Sequence, residues 1–197
     1  MKNIKRYILV ATGLLFCLNT MAQNGLKRGT KAPLFTAADN SGKEVNLPVL
    51  LRSHKFVVLF FYRGQWCPYC NKQIRQMQDS LSLVAAQGAY VIAVTPETGK
   101  NIDKTIEKTH ASFSIVQDNG YKIMKAYDVN YVVDDAMLVR MKNFGIDLEQ
   151  NNGNADHVLP VPATYIINSA GNIIFVYFDK DYRKRVAVST ILKAISQ

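Results

Sequence analysis

The sequence predicts an α/β domain, a central mixed β-sheet flanked by helices with an insertion before a C-terminal hairpin. Three observations carry this expectation. Apolar runs of strand length alternate with stretches of helical periodicity. Two late apolar runs flank a tight Gly-Asn turn. The chain has 197 residues, enough for one sizeable core and too few to suggest a second.

The elements follow in order. Residues 1–22 read as a secretory leader: Lys2, Lys5 and Arg6 precede an apolar stretch from Tyr7 to Leu18, with cleavage expected after Ala22. That stretch is short for a membrane span, and no later segment approaches one. Cys17 follows Phe16 rather than a small residue, which argues against lipidation. The export compartment expected is a bacterial periplasm, and residues 23–197 form the single mature domain. Residues 28–47 are turn-rich, with a short strand at Val45–Leu47. Phe56–Tyr62 is a near-continuous apolar run, expected as a central strand buried on both faces. From Pro68 to about Gln87, Ile74, Met77, Leu81, Val84 and Ala85 recur at helical spacing, and Gly88 stops the run. Tyr90–Thr95 is a second buried strand, Lys100–His110 an amphipathic helix, Phe113–Gln117 a strand and Gly120–Tyr127 a short helix. Ala163–Asn168 and Ile173–Phe178 flank the hairpin turn, and Val186–Ile195 closes the chain as a helix. This order is that of a thioredoxin-like fold. Residues 128–160 interrupt it, as either a lid beside the site or a decorated surface loop.

Composition excludes some functions. The chain carries 24 basic and 15 acidic residues; the leader removes three of the former, leaving a net charge of about +6. No basic block is interleaved with aromatics, so nucleic acid is not an expected partner. Lys180, Arg183, Lys184 and Arg185 form the densest basic cluster and read as a solvated rim.

The chemistry lies in Trp66-Cys67-Pro68-Tyr69-Cys70. A C-x-x-C pair between a strand and a helix reads as a thiol–disulfide couple. Pro68 suits the first position of the helix, which puts Cys67 at its N-terminus, where free N–H groups favour a thiolate. Cys67 is therefore the expected attacking thiol and Cys70 the resolving one. Arg63 is a candidate added cation, and Trp66 and Tyr69 would shield the pair and offer a docking face. Zinc would need two further ligands, and His54, His110 and His157 are scattered without ligand spacing. A purely structural disulfide closing so short a loop would add little stability. Neither a metal nor another cofactor is expected. The proton acceptor is unassigned, with Glu97 the weak candidate.

The chain resembles the peroxiredoxin-like branch of the alkyl hydroperoxide reductase/thiol-specific antioxidant (AhpC/TSA) family. The resemblance rests on Gly29-Thr30-Lys31-Ala32-Pro33-Leu34-Phe35 with Gly42, on FYRGQWCPYCNKQIRQMQ from Phe61 to Gln78, and on Gly145-Ile146-Asp147-Leu148. It continues through Leu159-Pro160-Val161-Pro162-Ala163-Thr164 and Asp179-Lys180-Asp181-Tyr182. It implies that Pro162, ahead of Thr164, belongs to the loop that faces the dithiol in thioredoxins, where this proline is cis and the backbone pairs with substrate. True peroxiredoxins carry Pro-x-x-x-Thr/Ser-x-x-Cys. That pattern places Arg63 at the proline, Cys67 at the hydroxyl residue and Cys70 at the peroxidatic cysteine, and the distant arginine falls at Pro162.

The expected activity is thiol–disulfide exchange through Cys67 and Cys70 in periplasmic redox homeostasis, with a protein dithiol or disulfide as partner. The alternative is a thiol-dependent hydroperoxide reductase, an antioxidant re-reduced by a thioredoxin-like donor. A non-catalytic binding module is a third reading, and the intact dithiol speaks against it.

Overall fold

The computed structural model describes residues 24–196; the expected leader lies outside them. The chain opens with a small hairpin, β1 (Thr36–Ala38) and β2 (Glu44–Asn46), and then a helix α1 (Leu47–Ser53). Asn46 caps α1 by accepting from the Val49 N–H, and Pro48 occupies its first turn. The central strand β3 (Phe56–Phe61) leads to α2 (Pro68–Asp79) and α3 (Leu81–Ala86). Next come β4 (Ala89–Thr95), α4 (Gly99–Thr109), β5 (Ser114–Gln117) and α5 (Lys122–Ala126). The insertion contains β6 (Asn130–Val132), α6 (Asp135–Asn143), α7 (Leu148–Asn152) and β7 (Val158–Pro160). The hairpin β8 (Ala163–Asn168) and β9 (Ile173–Phe178) and the helix α8 (Val188–Ile195) close the fold.

The main sheet has the order β5-β4-β3-β8-β9. β3 runs parallel to β4 and antiparallel to β8, so the sheet is mixed, as the alternation predicts. Its centre is β3, whose side chains split between two cores according to the period of two. Val57, Leu59 and Phe61 join one core with Tyr127 and Tyr165. Val58, Phe60 and Tyr62 join the other, which contains Cys67, Cys70, Ile74 and Met77. The dithiol is thus packed into the face of the sheet covered by α2, α4 and α8.

Several expectations need correction. The helix expected from Pro68 to Gln87 is two helices meeting at Ser80, whose backbone leaves helical geometry without a glycine or proline to signal it. Strand β1, which pairs with β2, and helix α1 are additional elements. The expected strand at Val45–Leu47 ends at Asn46, because Asn46 turns to cap α1. The insertion is ordered: β6 and β7 pair antiparallel, and Val133, Met141, Leu148 and Leu159 build a small core against Trp66.

Candidate active site around the Cys67–Cys70 pair

β3 and the segment after it deliver the two cysteines. The Tyr62 N–H donates to the Val94 carbonyl, extending the pairing with β4 past the end of the strand. The chain then turns, with the Cys67 N–H donating to the Gly64 carbonyl at 3.0 Å. Pro68 opens α2 and Cys67 is its N-cap, as the sequence predicts. The Cys70 N–H approaches the Cys67 sulfur at 3.4 Å, a cysteine standing where Ser or Asp usually caps. Gly64 is required by close approach: a Cβ there would lie 2.7 Å from Oε1 of Glu97.

Both cysteines are free and buried, with their sulfurs 2.6 Å apart. The stabilising groups converge on Cys70. Burial works to raise its thiol, but the hydrogen bond with Cys67, the Arg185 guanidinium and the Arg63 backbone N–H outweigh it and bring it down to about 6. Arg185 Nη2 lies 3.3 Å from the Cys70 sulfur. Cys67 moves the other way: its hydrogen bond to Cys70, then its burial, hold it protonated well above the ordinary thiol range. With Cys70 ionised, the Cys67 thiol donates to it. The contacts around the pair thus favour an anion on the inner sulfur, where helix-end reasoning favours the N-cap sulfur.

Arg63 is buried yet forms no ion pair with a described residue. Its guanidinium instead sits between aromatic faces, 4.9 Å from the Trp66 ring and 4.3 Å from the Tyr182 ring. Tyr69 is 40% exposed and meets Tyr182 edge to face. Tyr182 and Arg185 both come from the basic segment expected as a solvated rim. Arg183 pairs with Asp181 and Lys184 with Asp179 at the surface, whereas Arg185 turns inward.

A cleft opens beside Cys67, lined by Arg63, Trp66, Tyr69, Met137, Met141 and Phe144 among others. Cys67 lines it and Cys70 does not. The far wall is α6 and the turn that follows, so the insertion borders the site. Phe144 stands at the mouth with 79% of its surface exposed.

Glu97 is the buried acid nearest in influence. It is fully enclosed, accepts from the Gln65 N–H at 2.7 Å, and its second oxygen has no hydrogen-bond partner. Burial, then the Cys70 charge, push it up to about 8. It therefore holds a proton at neutral pH, beneath the loop that carries the dithiol.

The remaining expected residues lie on β8 and in the loop before it. Thr164 is buried on β8 and accepts from Gln73 Nε2 of α2 at 3.5 Å. The bond before Pro162 is trans, as are all peptide bonds among the described residues, and Pro162 does not line the cleft. The chain stays extended there because β7 pairs with β6 and the Val161 N–H donates to the Val129 carbonyl. His54 packs on Tyr90, His110 caps α4 and His157 pairs with Glu149.

The model of the AhpC/TSA family matches residues 28–176. Thiol-disulfide oxidoreductase ResA of Bacillus subtilis is 25% identical, over 87% of this chain and 85% of the relative. The chloroplastic peroxiredoxin Q of Triticum aestivum is also 25% identical, over 86% of this chain and 67% of the relative. Among solved structures, peroxidoxin BcpB of Mycobacterium tuberculosis superposes with a TM-score of 0.69 at 18% identity, over 87% of this chain and 97% of the other. The fold is thus the thioredoxin-like one of the peroxiredoxins.

Proposed function

This chain belongs to the AhpC/TSA family and is an oxidoreductase, and on that premise we propose that it performs thiol–disulfide exchange through Cys67 and Cys70. The observation that carries this is the asymmetry of the pair. Cys67 faces the cleft and is held protonated, while Cys70 lies behind it and is held as a thiolate. In the oxidised protein an incoming thiolate reaches the Cys67 sulfur, and Cys70 is the leaving group. A leaving thiol of low pKa departs faster. The exposed aromatic rim of Phe144, Tyr69 and Tyr182 suits a protein partner, because rigid aromatics give contact area at little entropy cost. The likeness to ResA supports this reading. We place the protein outside the cytosol, in a bacterial periplasm, on the leader-like residues 1–22.

Hydroperoxide reduction is the second reading, favoured by one observation. Arg185 and the Arg63 N–H point at Cys70, the position that aligns with a peroxidatic cysteine. There the Cys70 thiolate would take the terminal oxygen, releasing an alcohol, and Cys67 would condense with the sulfenic acid to give the disulfide and water.

Reduction of an insulin-type disulfide and consumption of an alkyl hydroperoxide, each with a dithiol donor, separate the two. Exchange requires both cysteines and turns over protein thiols or disulfides, in whichever direction its potential favours, faster than peroxide. Peroxide turnover that needs Cys70 and survives Cys67→Ser would replace exchange with the peroxidase reading.

A further inference from the structure

Arg185 is the feature that motif reading leaves unexplained. It lies 115 positions from Cys70 in sequence, on the segment between β9 and α8, and belongs to no C-x-x-C signature. Its fork is held in place from its own segment: Nη1 donates to the carbonyls of Tyr182 and Lys184. Nη2 is left to the Cys70 sulfur at 3.3 Å. The nearby acids do not compete, because Asp181 is engaged by Arg183 and Asp179 by Lys184. A guanidinium without a carboxylate, anchored by carbonyls and aimed at a buried sulfur, is arranged for a thiolate.

We propose that Arg185 is a positioning residue that holds Cys70 as a thiolate and so poises the couple as an oxidant of partner dithiols. This rests on the exchange reading above and adds a direction to it. A couple whose reduced form is stabilised is the stronger oxidant. Starting from the disulfide, a thiolate of the partner dithiol bonds to the Cys67 sulfur. The Cys67–Cys70 bond breaks, and its electron pair stays on Cys70 opposite Arg185. The partner's second thiolate then attacks its own sulfur in the mixed disulfide. Cys67 leaves and takes a proton from solvent. The partner ends as a disulfide, and the protein has gained two electrons.

Other charges facing Cys70 do not supply this effect. The Arg63 side chain is spread over Trp66 and Tyr182 and gives Cys70 only its backbone N–H. The charges of Glu97, Tyr62 and Tyr131 would all repel a thiolate there. In the reduced pair the Cys67 thiol also supports the Cys70 thiolate, and its hydrogen bond is the larger contribution; Arg185 supplies the fixed positive charge beside it.

The test is a redox equilibrium and a thiolate titration of the full-length protein and its Arg185→Gln and Arg185→Lys variants. Absorbance near 240 nm against pH reads the thiolate, and the fraction oxidised in glutathione buffers at pH 8 reads the poise. Arg185→Gln is expected to raise the thiolate midpoint by about one pH unit. It should then shift the equilibrium toward the disulfide about tenfold at pH 8, about 30 mV. Arg185→Lys keeps the charge, loses the fork and should fall between. Far-UV circular dichroism establishes that the variants are folded, and if Arg185→Gln is not, Arg185→Lys alone carries the comparison. An unchanged midpoint and equilibrium in the folded variants would overturn the proposal. A wild type that never equilibrates with thiols, yet whose thiolate midpoint rises in Arg185→Gln, would sink the exchange reading and leave the contact's role intact.

Discussion

Cys67→Ser is expected to reduce disulfide exchange by at least about 10³-fold, as the advantage of an intramolecular thiol disappears. The loss has two parts. The cleft no longer presents a sulfur, since Cys70 is fully enclosed behind it. The variant also cannot close its own disulfide, so any adduct must be released by a second external thiol. Structure and stability should change little, because serine keeps the N-cap acceptor that Cys67 provides to the Cys70 N–H. The Cys70 thiolate should persist and titrate close to its wild-type midpoint, because the serine hydroxyl still donates to it and Arg185 is kept. Steady-state rates on a protein disulfide, with a thiolate titration alongside, measure both parts.

Glu97→Gln is expected to flatten a pH dependence of stability. Glu97 in the folded protein holds its proton to about pH 8, against 4.5 for an exposed glutamate. Below about pH 4.5 both states are protonated and the group costs nothing. Between 4.5 and 8 the unfolded chain ionises first, so the folded state binds more protons and stability falls as pH rises. Over that window the effect reaches a few kcal/mol, on the order of 1.4 kcal/mol for each pH unit between the two values. Cys70 acts oppositely between about 6 and 9, because its folded value is lowered and its contribution grows with pH. Subtracting the variant's profile from the wild type's isolates Glu97. Glutamine keeps the acceptor for the Gln65 N–H and cannot ionise. The variant should therefore gain on the wild type steadily from pH 5 to 8 in denaturant midpoints. A constant difference across that range would contradict the raised value.

The fold was legible where local physics decides it. Phe56–Phe61 is apolar on both faces and becomes the central strand, and Pro68 at the first helical position puts Cys67 at the N-cap. Asn168–Asn172 turns the β8–β9 hairpin through Gly171 as the turn signature requires. The break at Ser80 has no such signal, because the apolar spacing from Ile74 to Ala85 continues through it. The paired strands β6 and β7 are three residues each, too short to show alternation. In the site, both cysteines and the presence of Arg63, Trp66 and Tyr69 beside them were readable from one contiguous motif, whereas the stacking of Arg63 between Trp66 and Tyr182 was not. The asymmetry between the sulfurs was not. It depends on Arg185, whose reach of one long side chain across the fold leaves no trace in spacing, and whose neighbours Lys180, Arg183 and Lys184 make it look like one more surface charge. Tyr182 was visible only as part of a family string, and its position over Arg63 comes from the same segment. The insertion could be located but not assigned, since its contact with Trp66 is tertiary.

The role of the pair can be read from a single mixed disulfide. The oxidised wild-type protein is mixed briefly with limiting glutathione, quenched in acid, unfolded, alkylated and mapped by mass spectrometry. Attack on the cleft-facing sulfur predicts glutathione on Cys67 and the alkyl group on Cys70. Glutathione on Cys70 with alkylated Cys67 would contradict it.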